Sequence, residues 1–256
     1  MWSFFRKKKE YDCPICAAKG ELLDTVDLNK HCEVSKRGAL PRSGVAIEYY
    51  LCSDCRFCWA PMMHAWSVDE FEEKIYNQDY VYVDPEYIES RPRTNSEMLI
   101  ANVPHASSIR HLDYGGGNGM LSKLLNEAGW QSSSYDPMVD HDVSIESLGK
   151  FDFITSFEVF EHVPDVHRLI SDLDQLIADN GIIIFSTITS DEFITPGKKL
   201  NWWYAAPRNG HISLFSQNAL RRLGHSKNFQ FTSFSPALHV FFKSVPEWAS
   251  HMIKIV

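Results

Sequence analysis

A chain of 256 residues with 44% hydrophobic and 23% charged residues has the composition of a folded protein, large enough for one large domain or a core domain with a small appendage. Its formal net charge of −8 argues against a general binder of nucleic-acid backbone, which needs a positive surface, so no nucleic-acid partner is expected. No apolar run approaches the ~20 residues that cross a bilayer, and MWSFFRKKKEYDCPIC sets aromatic residues before basic ones, the reverse of a secretory signal. No transmembrane segment and a cytoplasmic location are therefore expected. The aromatic-then-basic arm reads as a solvated terminus or as a contact for a membrane surface or an acidic partner.

All six cysteines lie within the first 58 residues. CPIC presents Cys13 and Cys16, and CSDC presents Cys52 and Cys55. Two such tight turns can bring four thiolates around one tetrahedral Zn(II), with the intervening chain as a loop. In a segment this small the metal contributes folding energy directly. Residues 1–60 are thus expected to form a zinc ribbon with a structural ion. Cys58 in place of Cys52, or a ligand from His31 or Cys32, remains open, as does a cluster of idle thiols.

Residues 61–105 read as a bridging or lid region. Ser67 followed three residues later by Glu70 is a capping-box pattern ahead of Phe71 and Ile75. A second helix is expected over RTNSEMLIANV. Between them, VDPEYIESRPR carries aromatic and arginine residues suited to a lid over a pocket, or to plain linker packing.

From residue 109 strands and helices alternate. A buried strand is expected over 109–114, then a helix with Leu121, Leu124, Leu125 and Ala128 at helical spacing and Gly129 as its stop. WQSSSYD is a polar strand and FDFITSF an apolar one. VHRLISDLDQLIADNG is expected as a helix with a stripe at Leu169, Leu173, Leu176 and Ile177, running to Asn180-Gly181. IIIFSTI reads as a strand buried on both faces. An irregular stretch covers 189–213, followed by a helix around SQNALRRLG and strands near 229–234 and 237–243. Residues 106–256 are thus an α/β domain without internal repeats.

Gly115, Gly116, Gly117 and Gly119 let the chain turn sharply and bring backbone N–H groups close to a ligand at a helix N-terminus. A phosphate-binding P-loop needs Gly-Lys-Ser/Thr, and this loop ends GNGML; a dinucleotide fingerprint needs glycine where Met120 stands. Neither reading fits.

LDYGGGNG resembles the first motif of the class I S-adenosylmethionine-dependent methyltransferases, with Asp113, Gly115, Gly117 and Gly119 at matching positions. SYDP puts Asp136 where that family's acid grips the ribose hydroxyls, although a turn cap before Pro137 is the plain alternative. HDV supplies Asp142 for the adenine amine, with Asp140 close by. FDFITSFEVFEHV resembles the fourth-strand signature, with Phe157 and Glu158 on the cofactor side and Glu161-His162-Val163 completing it. YAAPRNGHISLFS is similar to a substrate-side segment of small-molecule members. A zinc ribbon ahead of such a core resembles some bacterial sugar and secondary-metabolite methyltransferases. Gly116 departs from the cysteine or alanine frequent in the motif.

The resemblance covers roughly 105–244. It implies a doubly wound, Rossmann-like sheet of seven strands with the last antiparallel, and methyl transfer from S-adenosylmethionine to a small molecule, a sugar or hydroxylated metabolite. The glycine loop would then wrap the cofactor's methionine end, and Asp113 would bind it or organise the loop. A cofactor-binding module without catalysis and a zinc-ribbon adaptor are the alternatives.

The sulfonium methyl is already electrophilic, so the protein must align a nucleophile and exclude water. His162 and His211 are the candidates for a base or a substrate-positioning group, against structural hydrogen bonding. Tyr204 and Arg208 are candidates for acceptor contact. Trp202, Trp203 and Tyr204 would line a pocket or form a satellite core. The Arg221-Arg222 pair reads as the polar face of a helix or as a phosphate contact.

Overall fold

The computed structural model describes residues 10–103 and 106–253; the arm at 1–9 lies outside the described residues. Strands are numbered along the chain. Four precede residue 60: β1 (Tyr11–Asp12), β2 (Lys19–Asp27), β3 (Ala46–Cys52) and β4 (Cys58–Trp59). They pair antiparallel in sequence order. Gly20 is required in β2 because a Cβ there would lie 2.3 Å from the Trp59 ring.

The helix Val68–Lys74 begins with the expected capping box: the Glu70 N–H donates to Ser67 Oγ at 3.2 Å and the Ser67 N–H to Glu70 Oε2 at 2.9 Å. It buries Phe71, and Ile75 follows as its buried cap. The helix Ser90–Asn102 starts earlier than the RTNSEMLIANV pattern suggests. Pro92 falls in its first turn, where the missing N–H costs nothing.

β5 (Arg110–Tyr114), β6 (Gln131–Tyr135), β7 (Phe151–Phe157) and β8 (Ile177–Ser186) follow, then β9 (Ser213–Leu214), β10 (Gln230–Ser233) and β11 (Leu238–Phe242). A six-stranded sheet has the order β10-β11-β8-β7-β5-β6. β6, β5, β7 and β8 are parallel, and β11 is antiparallel to β8 and β10.

Period-two alternation explains why helices cover both faces. Phe153, Ile182, Ile184 and Val240 pack with Leu99, Leu121 and Leu125 on one side. Their neighbours Ile154, Ile183, Phe185 and Phe241 pack with Leu169, Ile170, Leu173 and Leu220 on the other. The expected doubly wound α/β architecture is present.

Two expectations need correction. The sheet has six strands among the described residues rather than seven. Beyond β6 the chain turns: the Asp136 N–H donates to Asp140 Oδ2 and the Met138 N–H to Asp136 Oδ1, both at 2.8 Å, so the HDV segment is not extended. The second concerns the helix expected through Asn180-Gly181, which spans Val166–Leu176 only. Ile177, the last residue of its apolar stripe, begins β8 opposite Phe151. Gly181 is needed there, since a Cβ would lie 2.6 Å from Ile177 Cδ1 and 2.9 Å from the Asp152 carbonyl.

The N-terminal sheet gains its fifth strand from far along the chain: β9 pairs with β4, Leu214 opposite Cys58 and Ser213 opposite Trp59. Its core is also shared. Cys13, Cys52, Cys55 and Phe57 belong to the same cluster as Leu169, Ile170 and Phe215, with the Phe57 and Phe215 ring centroids 4.9 Å apart. Burying one such ring stabilises the fold by ~1.5–3 kcal/mol. Among the described residues no helix is long and apolar enough to cross a membrane.

Candidate active site

A cleft of about 760 Å³ opens beyond the carboxyl ends of β5, β6 and β7, where open α/β sheets bind ligands. One end is built by the glycine loop. Gly115, Gly117 and Gly119 have φ of +76°, +54° and +72°, a left-handed conformation costly for residues with a Cβ. At Gly116 a Cβ would lie 2.3 Å from Ser134 Oγ and 2.7 Å from Asp113 Oδ2, so the departure from cysteine or alanine is required by this loop's packing. Gly115, Gly116 and Gly117 line the cleft; Gly119 sits behind it as the N-cap of the helix Met120–Glu127.

Asp136 lines the cleft and accepts the Gly117 N–H at 2.9 Å through Oδ2, so it shapes the loop as well as facing the cavity. Asp113 also lines the cleft, although largely buried, and accepts from Thr155 Oγ1 at 2.9 Å. Burial pushes its carboxyl up to about 7. Thr155 in turn meets His111 Nε2 at 3.0 Å, and His111 Nδ1 meets Ser132 Oγ at 2.7 Å. Sequence reasoning missed this buried chain, whose members lie on three neighbouring strands.

Phe157 and Glu158 line the cleft. Glu158 has φ +54°, a strained position for a non-glycine residue, and is pinned by Ser186, whose Oγ accepts its N–H at 2.8 Å and donates to its Oε1 at 2.7 Å. Asp142 is not brought to the cleft: it is exposed, and Met138 and Val139 line the wall instead.

His162 lines the cleft with its side chain 18% exposed. Its Nδ1 lies 3.1 Å from Tyr76 Oη, and burial followed by the Arg91 charge lowers it to about 4, so the imidazole is neutral at pH 7. His211 is behind it, with ring centroids 4.9 Å apart, and does not line the cleft. Its Nδ1 donates to the Tyr204 carbonyl at 2.8 Å, and burial holds it well below the usual histidine range. Glu161 is fully buried; Tyr204 Oη donates to its Oε1 at 2.6 Å. Burial, then the charge of Glu158, pushes Glu161 up to about 8.

Tyr204 and Arg208, the candidates for acceptor contact, do not line the cleft. Tyr204 spends its hydroxyl on Glu161, and Arg208 donates to the Ile75 carbonyl at 2.7 Å and Asn77 Oδ1 at 3.2 Å, bracing the bridging region. Trp202 stacks on Phe193 in a satellite core, Trp203 is 51% exposed, and neither lines the cleft. Arg222 forms a bidentate pair with Asp54 and Arg221 lies over Phe231. The far wall comes from the bridging region instead: Trp66, Phe71, Tyr76, Tyr80 and Tyr87, with Arg91 ion-paired to Asp84. The composition of VDPEYIESRPR pointed to such a lid, but Tyr76 and Arg91 were not singled out.

The four thiols converge. Cys13 and Cys55 Sγ are 3.5 Å apart, Cys16 and Cys52 Sγ 3.4 Å, and all four lie within 4.8 Å of one another. Zinc–sulfur bonds of about 2.3 Å place the corners of a tetrahedron about 3.8 Å apart, so the donor set fits. The Ile15 and Asp54 N–H groups point at Cys13 and Cys52 Sγ, each at 3.4 Å. Of the alternatives, Cys58 is buried in β4, Cys32 lies beside His211, and His31 bonds the Gly38 carbonyl.

Residues 87–233 match the family described as Methyltransferase domain, more than half of the chain. The chain belongs to this methyltransferase family. The matched span holds the glycine loop, Asp136, Glu158, His162 and His211. Among curated proteins, a 39-residue stretch is 54% identical to the ubiquinone biosynthesis O-methyltransferase of Pasteurella multocida, covering 15% of this chain and 16% of that protein. A 57-residue stretch is 35% identical to the enzyme of the same name from Colwellia psychrerythraea, covering 22% and 23%. The similarity thus spans less than a quarter of either relative.

Similar solved structures include an O-methyltransferase family protein from Burkholderia thailandensis (14% identity, 64% of this chain and 59% of that one, TM-score 0.47). Another is the magnesium protoporphyrin IX methyltransferase of Synechocystis (15% identity, 68% and 95%, TM-score 0.43).

Proposed function

We propose that this methyltransferase-family protein moves a methyl group from S-adenosylmethionine to a small hydroxylated acceptor, a sugar or ring-bearing metabolite. The observation that carries this reading is the continuity of the cleft from the glycine loop and Asp136 to His162 and the aromatic wall. S-adenosylmethionine supplies the electrophilic methyl; every other requirement falls on the chain. Gly115, Gly117 and Gly119 shape the loop around its methionine end, and Asp136 offers carboxylate acceptors to the ribose hydroxyls. Asp113, at the cleft beside Gly116, either binds the cofactor or organises the loop. Phe157 and Glu158 close the floor, and Asp142 contributes nothing direct.

His162 is the acceptor-side residue. Held neutral by burial and oriented by Tyr76, it can accept a hydrogen bond or proton from a hydroxyl. His211 positions it from behind. The aromatic wall suits a ring face and shields the reaction from water. Cys13, Cys16, Cys52 and Cys55 hold a structural zinc whose four thiolates leave no open position for catalysis. Six unpaired cysteines agree with a reducing, cytoplasmic setting.

The test is a radiolabelled-methyl assay over nucleotide sugars, phenols and amines, with RNA and protein controls, alongside calorimetric titration of S-adenosylmethionine. A labelled hydroxyl compound is expected, with His162→Ala losing turnover at unchanged cofactor affinity. Labelling confined to RNA or protein would overturn the acceptor class, and absence of cofactor binding would overturn the whole reading.

A further inference from the structure

Behind the cleft lies a second set of metal-type donors, far in sequence from the cysteines. Glu161, His162 and His211 each present a donor atom within 4.8 Å of the others. Glu161 is 0% exposed, and among the described residues its Oε2 has no hydrogen bond of good geometry, the nearby Thr187 hydroxyl being unaligned with it. Leaving a carboxyl oxygen unpaired in the interior is costly. No lysine or arginine forms an ion pair with it among the described residues; its titratable neighbours include Tyr204, whose Oη donates to Oε1 at 2.6 Å, and His162, whose Nε2 is 3.9 Å from Oε1.

Both imidazoles are set from outside. His211 Nδ1 donates to the Tyr204 carbonyl, which leaves Nε2 with its lone pair; His162 Nδ1 engages Tyr76 Oη while its Nε2 faces Glu161. An outer hydrogen bond on one ring nitrogen that frees the other is the usual arrangement of metal-binding histidines. Tyr204 Oη performs the same service for the carboxylate, holding Oε1 at 2.6 Å so that Oε2 stays available. Glu158, held at its N–H and Oε1 by Ser186, does not fall within this donor cluster.

We propose that Glu161, His162 and His211 form a binding site for a divalent first-row transition ion such as Mn(II) or Fe(II), distinct from the four-thiol site. Two imidazoles and a carboxylate suit these ions, whereas thiolates select zinc. Donors around such an ion lie ~3–3.5 Å apart for bonds of about 2.1 Å, so side chains must close in by about an ångström. His162 is the only one of the three that lines the cleft, so the ion would be reached from that side. Loading would turn His162 from a proton acceptor into a ligand and present the cation to an acceptor oxygen in its place. The site itself does not depend on the proposed transfer reaction.

The test is a titration of zinc-replete full-length protein with Mn(II), followed by loss of the free-ion electron paramagnetic resonance signal. Native protein should take up a single Mn(II) per chain. Glu161→Gln and His162→Ala should each weaken uptake by about tenfold or more, with zinc content and circular dichroism unchanged. His162→Ala, at the cleft wall, keeps the test valid if a change at buried Glu161 impairs folding. No Mn(II) uptake at millimolar concentration, or native affinity in the folded variants, would overturn the site. Neither outcome touches cofactor binding, so failure here and failure of the methyl-transfer reading are separable.

Discussion

The two sheets of this molecule are held together in opposite ways. In the six-stranded sheet, β5 to β8 come from neighbouring stretches of chain, and β5, β7 and β8 are buried on both faces. In the five-stranded sheet the strands are short at both ends, and order comes from remote partners: two thiol pairs separated by 36 and 42 residues, and a two-residue strand from position 213. Local hydrophobic pattern suffices for the first. The second depends on remote contacts closed over long loops, so loss of the proposed metal should be felt far more strongly than any single change at the cofactor end.

The largest expected effect therefore belongs to the thiols. Cys13→Ser combined with Cys52→Ser should abolish bound zinc, and because these cysteines share a core with Leu169 and Phe215, the melting transition should fall by ten degrees or more, about 3–5 kcal/mol. Metal analysis with thermal circular dichroism checks this. Retained stoichiometric zinc would remove the assigned ligand set, and zinc loss with an unmoved transition would end the contrast between the sheets.

Next comes a change at the other end. Asp136→Ala removes charge-assisted acceptors worth ~1.5–3 kcal/mol each and releases the Gly117 N–H. Calorimetry should show at least about tenfold weaker S-adenosylmethionine binding with the fold retained. Native affinity would mean that Asp136 serves only as a turn cap.

Asp113 gives a pH signature. Burial raises its carboxyl from 3.8 to about 7, so the folded protein keeps a proton that the unfolded chain releases. Its contribution is fully present below about pH 4 and is lost as pH rises towards 7. Asp113→Asn lacks this slope. Urea unfolding at pH 5 and pH 8 should show native stability declining relative to the variant, and parallel profiles would refute the buried, proton-holding state.

The smallest effect is local. Ser67→Ala removes one half of the capping box, costs about 1 kcal/mol and should leave zinc content unchanged. A loss as large as that of the cysteine variant would mean that the bridging region, not the thiols, carries the N-terminal order.

What could be read from the sequence follows the same division. The glycine loop, Asp136 and the strand ending at Phe157 are short-range patterns whose chemistry and geometry lie in contiguous residues. The capping box and the Cys-x-x-Cys turns are equally local. Asp142 lies exposed outside the cleft lining, after polar turn bonds at Asp136 and Asp140 have bent the chain. Ile177 satisfies both a helical stripe and a strand, and pairing with Phe151 decides between them. Tyr204 and Arg208 have side chains able to meet a substrate, and only tertiary packing shows that their polar groups are already spent within the protein. Tyr76 and the His111–Thr155–Asp113 chain carry no sequence pattern, since their partners are distant.

β9 has a consequence for modularity. The cysteine-rich segment is not a cassette that can be cut away or exchanged for another. A fragment starting near residue 106 would leave Ser213 and Leu214 without β4, and would remove Tyr49, whose hydroxyl donates to the His211 carbonyl at 2.7 Å. Grafting a foreign cysteine-rich segment onto the remaining chain would lose that register. The N-terminal segment and the substrate-side loop therefore have to change together, one as the template on which the other is shaped.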